Sequence, residues 1–102
     1  MIDITSPNEI PKEGKAVVFV VFETAPCKKF INASNSAINE VLKDKENHYF
    51  KLLNTPEVKE ALGITSMPTA IVYVDGEEKK RFSGHFYSRF EIAAMIGEGF
   101  TK

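Results

Sequence analysis

Cysteine is nearly absent: Cys27 stands alone among 102 residues. No disulfide can close within such a chain, and a reducing compartment is the expectation. An excess of positive charge is also absent. Thirteen Lys and Arg face fourteen Asp and Glu for a net charge of −1, so no global field draws in nucleic acid or an anionic membrane surface, and neither partner is expected. Histidine is scarce, with only His48 and His85. Two separated histidines and one cysteine make a poor zinc set, so no metal or cofactor is expected. Long apolar runs are missing too. The longest, Ala16 to Phe22, is far too short to cross a bilayer but suits a buried strand. Met1-Ile2-Asp3-Ile4 lacks the basic-then-apolar order of a secretory leader, so a cytoplasmic location is expected.

What is present is ordinary globular material. The chain is 43% hydrophobic and 26% charged, with eight Phe and three Tyr. That supports one core without a metal or disulfide staple, and therefore a single domain over 1–102, expected to be monomeric.

The element order follows from local signals. Ile2 to Thr5 alternates like a short strand. Ser6 to Gly14, with two prolines, reads as a loop holding at most one helical turn that starts at Ser6-Pro7. Lys15 to Glu23 is a nearly continuous apolar strand, as in the centre of a sheet covered on both faces. Thr24 is placed to cap the next helix, and Pro26 is tolerated in a first turn because its missing N–H has no intrahelical partner there. Phe30, Ile31, Ser34, Ala37, Ile38, Val41 and Leu42 then form one buried stripe. Asn32 to Ser36 is poor in helix formers and predicts a local weakness, while Lys43 and Lys45 suit the helix C-terminus.

His48 to Leu53 predicts a second buried strand. Thr55-Pro56-Glu57 opens a short helix that stops at Gly63. Thr69 to Val74 is another apolar strand, Asp75-Gly76 a hairpin turn, and Lys79 to Gly84 a charged edge strand. Ser88 and Glu91 form a capping box for a last helix carrying Phe90, Ile92, Ala94, Met95 and Ile96. Alternating units first and a hairpin last imply an α/β fold: a central mixed sheet of four or five strands flanked by helices.

Particular residues sharpen this outline. The apolar strand runs into Thr24-Ala25-Pro26-Cys27-Lys28, which resembles the Cys-Gly-Pro-Cys-Lys of the thioredoxin family. Gly63-Ile64-Thr65-Ser66-Met67-Pro68-Thr69 resembles the segment with that family's cis-proline, here Pro68. The Asp75-Gly76 turn and Gly84 also stand in family-like places, and the resemblance covers nearly the whole chain. It implies a thioredoxin-like fold. Three positions depart from the pattern. Thr24 replaces the attacking cysteine, Val18 stands in place of the buried aspartate, and Phe22-Glu23 replace an acidic residue followed by tryptophan. The first helix is cut down or missing.

These departures bear on chemistry. Two-cysteine disulfide reduction needs an exposed thiolate to attack and a second thiol to resolve the mixed disulfide. An unactivated threonine hydroxyl cannot attack, and the simple role for Thr24 is a helix cap. Cys27 lies one turn into the helix, where the resemblance implies the less exposed thiol that acts second. It reads equally as a buried small hydrophobe or as a monothiol forming mixed disulfides. A third reading comes from peroxiredoxins, whose Thr-x-x-Cys pattern Thr24-Ala25-Pro26-Cys27 matches, though Val20 replaces their proline. The resemblance also implies that Ala25, Pro26, Met67, Pro68, Thr69, Gly84 and His85 shape a shallow groove to which an extended peptide adds by backbone hydrogen bonds. His85 could face Cys27 or simply end a strand.

Two functional classes follow. One is a protein- or peptide-binding module that uses the Pro26/Pro68 groove with little or no dithiol turnover. The other is a monothiol redox protein using Cys27.

Overall fold

A computed structural model describes residues 1–83 and 88–101. Its centre is β2 (Lys15–Val21), whose six residues from Ala16 onward are all buried. Alternation along this strand sends Val17, Phe19 and Val21 to one face of the sheet and Ala16, Val18 and Val20 to the other. A strand apolar on both faces needs cover on both, and it has it. The first face carries α1 (Ala25–Ser36), its continuation, and α3 (Arg89–Thr101). The second carries α2 (Pro56–Leu62) and the segment around Ile10.

Five strands line up in the order β1-β3-β2-β4-β5. β1 (Ile2–Ile4) and β2 both run parallel to β3 (Tyr49–Leu53), while β2–β4 (Thr69–Val74) and β4–β5 (Glu77–Ser83) are antiparallel. The sheet is therefore mixed, as expected. At the hairpin, Asp75 (φ 53°) and Gly76 (φ 79°) both take positive φ, the conformation of a primed two-residue turn. Gly14 holds this turn from outside. Its N–H donates to Asp75 Oδ1 and its carbonyl accepts from the Asp75 N–H, both at 2.8 Å.

The loop expected to hold at most one helical turn holds one, a 3-10 turn over Pro7–Glu9, closed by a Ser6/Glu9 capping box. Glu9 Oε2 accepts from the N–H groups of Thr5 and Ser6, which lowers its pKa, the Thr5 amide contributing most. α2 uses both of its sequence signals: Thr55 Oγ1 accepts from the Val58 N–H at 3.2 Å, and Gly63 ends the helix at φ 62°. Asn32 to Ser36, the expected weak stretch, is instead regular α-helix. α-Helical bonding stops at Ser36 and a π-helical segment, Ala37–Leu42, completes the element before Lys43 turns left-handed at φ 52°.

Two details of α3 differ from expectation. Phe90 is 60% exposed and Ala94 is also exposed, while Ala93 is buried with Ile92, Ile96 and Gly99. Residues 90 and 94 each lie two positions from Ile92, about 200° around a helix, and so face away from the sheet. The capping box itself forms: the Glu91 N–H donates to Ser88 Oγ, and the Ser88 N–H to Glu91 Oε1. Among the described residues no helix is long and apolar enough to cross a membrane.

Candidate functional site

The site grows from the end of β2. The strand stops at Val21, whose carbonyl accepts from the Asn54 N–H at 2.9 Å. The chain then crosses the end of the sheet through Phe22 and Glu23 into α1. Thr24 takes the N-cap position with extended backbone, and its carbonyl accepts the first helical bond from Lys28 at 2.9 Å. Its hydroxyl, however, makes no cap hydrogen bond, which corrects the expectation of a side-chain cap. Thr24, Ala25 and Pro26 are all exposed.

Cys27 turns inward. It is 3% exposed and belongs to the core cluster of Phe19 and Phe30. Its Sγ accepts from the Phe22 N–H at 3.4 Å, so the thiol ties the connecting segment to the helix. Phe30, one turn on, packs between Phe19, tilted at 60° with ring centroids 5.6 Å apart, and Phe82, edge-on with ring centroids 6.5 Å apart. No hydrogen bond joins the Thr24 hydroxyl to the Cys27 sulfur. Val18 is fully buried in the layer beneath α2, on the face of the sheet opposite the Cys27 cluster.

The second half of the site is the segment from Gly63 to Thr69. The Met67–Pro68 peptide is cis. Pro68 and Thr69 are buried, Met67 is half-buried, and Thr69 Oγ1 donates to the Ser66 carbonyl. The segment is anchored at its start by Ile64, whose N–H donates to the Lys59 carbonyl at 3.0 Å. Arg81 reaches across from β5 to donate to the carbonyls of Leu62 and Gly63 at 2.7 and 2.9 Å. A two-pronged contact with Glu78, at 2.8 and 3.0 Å, orients its guanidinium.

Phe22 joins the two halves. It is 46% exposed and walls two clefts. On one side lies a cleft of about 270 Å³ lined by Glu23, Cys27, Lys28, Ile31 and Lys51 among others. On the other lies one of about 240 Å³ lined by Asn54, Lys59, Ser66 and Met67 among others. Cys27 and Met67 thus line separate clefts that share Phe22. Thr24, Ala25 and Pro26 line neither cleft and stand on the exposed first turn of α1. Gly84 and His85 lie outside the described residues. Phe22, Lys51, Asn54 and Lys59 were not among the expected groove residues. Only Phe22 carried a signal, as the last large apolar side chain of the Ala16-to-Phe22 run. Among the described residues no group of three or more His, Cys, Asp or Glu comes together as metal ligands would.

No protein-family model and no curated protein matches the chain. Solved structures do. The chain is similar to oxidised thioredoxin from Plasmodium falciparum, with a TM-score of 0.71 at 21% identity, covering 96% of each chain. It is similar to Fasciola hepatica thioredoxin, with a TM-score of 0.68 at 19% identity, over 97% of this chain and 99% of that one. With thioredoxin f from spinach chloroplast the TM-score is 0.75 at 17% identity, over 97% of this chain and 85% of that one. At such identities the likeness is one of fold, and by fold the chain is thioredoxin-like.

Proposed function

We propose that this chain binds a partner protein and has little or no dithiol reductase turnover. The binding face runs from the exposed Ala25–Pro26 across Phe22 to the half-buried Met67, which the buried Pro68 and Thr69 support from beneath. It acts as a single-domain cytoplasmic monomer. The observation that carries this reading is the lone, buried Cys27 combined with an exposed Thr24 where attack would start. A hydroxyl without an adjacent base does not replace a thiolate. Docking of an extended segment needs only backbone pairing and apolar contact, both indifferent to sulfur.

A second reading, a monothiol forming mixed disulfides, has one observation in its favour: Cys27 lines the 270 Å³ cleft despite its burial. A peroxide-reactive Thr-x-x-Cys site draws no such support, because the Thr24 hydroxyl does not bond the sulfur.

Partner capture from a reducing extract separates these readings. Met67→Asp places an unpaired charge in a desolvated contact and is expected to weaken capture. Cys27→Ser is expected to leave it unchanged. If Cys27→Ser alone abolishes capture, or capture requires oxidising conditions, the bond is a mixed disulfide and the monothiol reading replaces this one.

A further inference from the structure

The two clefts beside Phe22 hold more lysines than carboxylates, and like Lys12, Lys29, Lys43 and Lys45 elsewhere these lysines stand outside the ion pairs of the described residues. Lys15, Lys79, Lys80, Arg81 and Arg89 each lie within 4 Å of a carboxylate. Lys28 and Lys51, which line the cleft on the Cys27 side, form no ion pair among the described residues, and neither does Lys59 on the Met67 side. Among the described residues, Glu23 alone brings a carboxylate to the lining of either cleft. Three lysines against one carboxylate line these two clefts on a chain whose net charge is −1, with Asp3 beside Lys51 in the adjoining cleft. The cleft on the Met67 side offers apolar contact through Phe22, Ile64 and Met67, beside the polar Asn54, Thr65 and Ser66.

We infer that the segment docked here is an extended stretch of protein carrying acidic side chains on both sides of an apolar contact residue. This rests on the groove reading above and specifies the partner's chemistry. The apolar contact covers Phe22 and Met67, and the flanking carboxylates meet Lys28 and Lys51 at one end and Lys59 at the other. Same-face side chains of an extended strand recur at roughly 7 Å, so charge and apolar contact can alternate along one segment. A nucleic-acid backbone fits less well. Its unbroken phosphates would meet Glu23 and leave Phe22 and Met67 without apolar partners.

Synthetic peptides sharing one apolar centre, with Glu, Gln or Lys flanks, test this by fluorescence anisotropy. The Glu-flanked peptide is expected to bind about tenfold tighter than the Lys-flanked one at low salt, a preference that shrinks to about twofold near 0.5 M salt. The Lys28→Glu/Lys59→Glu double variant, with unchanged circular dichroism, is expected to reverse the order. Equal affinities at low salt, all lost in Met67→Asp, overturn the acidic assignment and leave the groove reading standing. A Glu preference that persists in the double variant also overturns it. Binding that ignores Met67→Asp, or no binding by any peptide, overturns the groove reading and this inference with it.

Discussion

Asp44 shows how one side chain can close a fold. It follows the π-helical segment, and its carboxylate accepts from Lys15 Nζ at 3.0 Å, the Tyr49 hydroxyl at 2.9 Å and the Lys45 N–H at 2.8 Å. It thereby pins the end of the long helical element to the starts of β2 and β3. Burial pushes its carboxyl up, but the Lys15 ammonium, the Lys45 amide and the Tyr49 hydroxyl outweigh burial and bring it down to about 2. Burial and the same carboxylate push the Tyr49 phenol up. A carboxyl lowered from 3.8 stabilises the fold above its ordinary value and loses that contribution as pH falls toward about 2. The Lys15 side chain is 41% exposed, so solvent screening trims the contribution to about 1 kcal/mol. Asp44→Asn is expected to lower the stability measured by urea unfolding by about that amount near pH 7, with the gap closing between about pH 4 and pH 2. An equal gap at both ends would assign the effect to shape rather than charge. Asp44 was invisible in the sequence because its main partner is 29 residues away. Cys27 and Pro68 were legible because each sits in a short pattern that specifies its surroundings. Lys51 and Lys59 were not, since on a strand and a helix they look like any solvated lysine.

Elements were legible where their signals are local. Thr55, Pro56 and Gly63 mark both ends of α2 and are used as written. Asp75-Gly76 marks its hairpin in the same way. The switch to π-helical bonding after Ser36 arises from packing, whereas composition pointed to Asn32 to Ser36, which are regular α-helix. In α3 the side that faces the sheet depends on a residue with no side chain. A Cβ built on Gly99 would lie 2.7 Å from both Cβ and Cγ1 of Val72, whereas one on Gly97 meets nothing within 4 Å. Both sit within the helix. Gly→Ala gains about 1 kcal/mol of helix propensity at either position. At Gly99 the rigid, branched Val72 cannot yield cheaply, and overpacking costs about 1–3 kcal/mol. Thermal unfolding is therefore expected to rank Gly97→Ala above wild type and Gly99→Ala below it. A stabilised Gly99→Ala would mean that α3 can lift off β4 without penalty.

At the scale of the whole molecule, the sheet, the cis Met67–Pro68 bond and the helix that begins after Thr24 hold together without the first active-site thiol. Nothing in the packing depends on that thiol. β2 is filled by apolar side chains on both faces, Val18 included, and Phe22 and Cys27 close the end of the sheet through a hydrogen bond to sulfur. The fold therefore does not require a pair of thiols, and on the proposed function this chain separates the fold from dithiol chemistry. Catalysed reduction of insulin disulfides, with dithiothreitol as the electron source, tests that separation most directly. Wild type and Cys27→Ser are both expected to give no rate above the dithiothreitol background. Turnover by the wild type that Cys27→Ser abolishes would contradict the account, because it would show that one thiol suffices here.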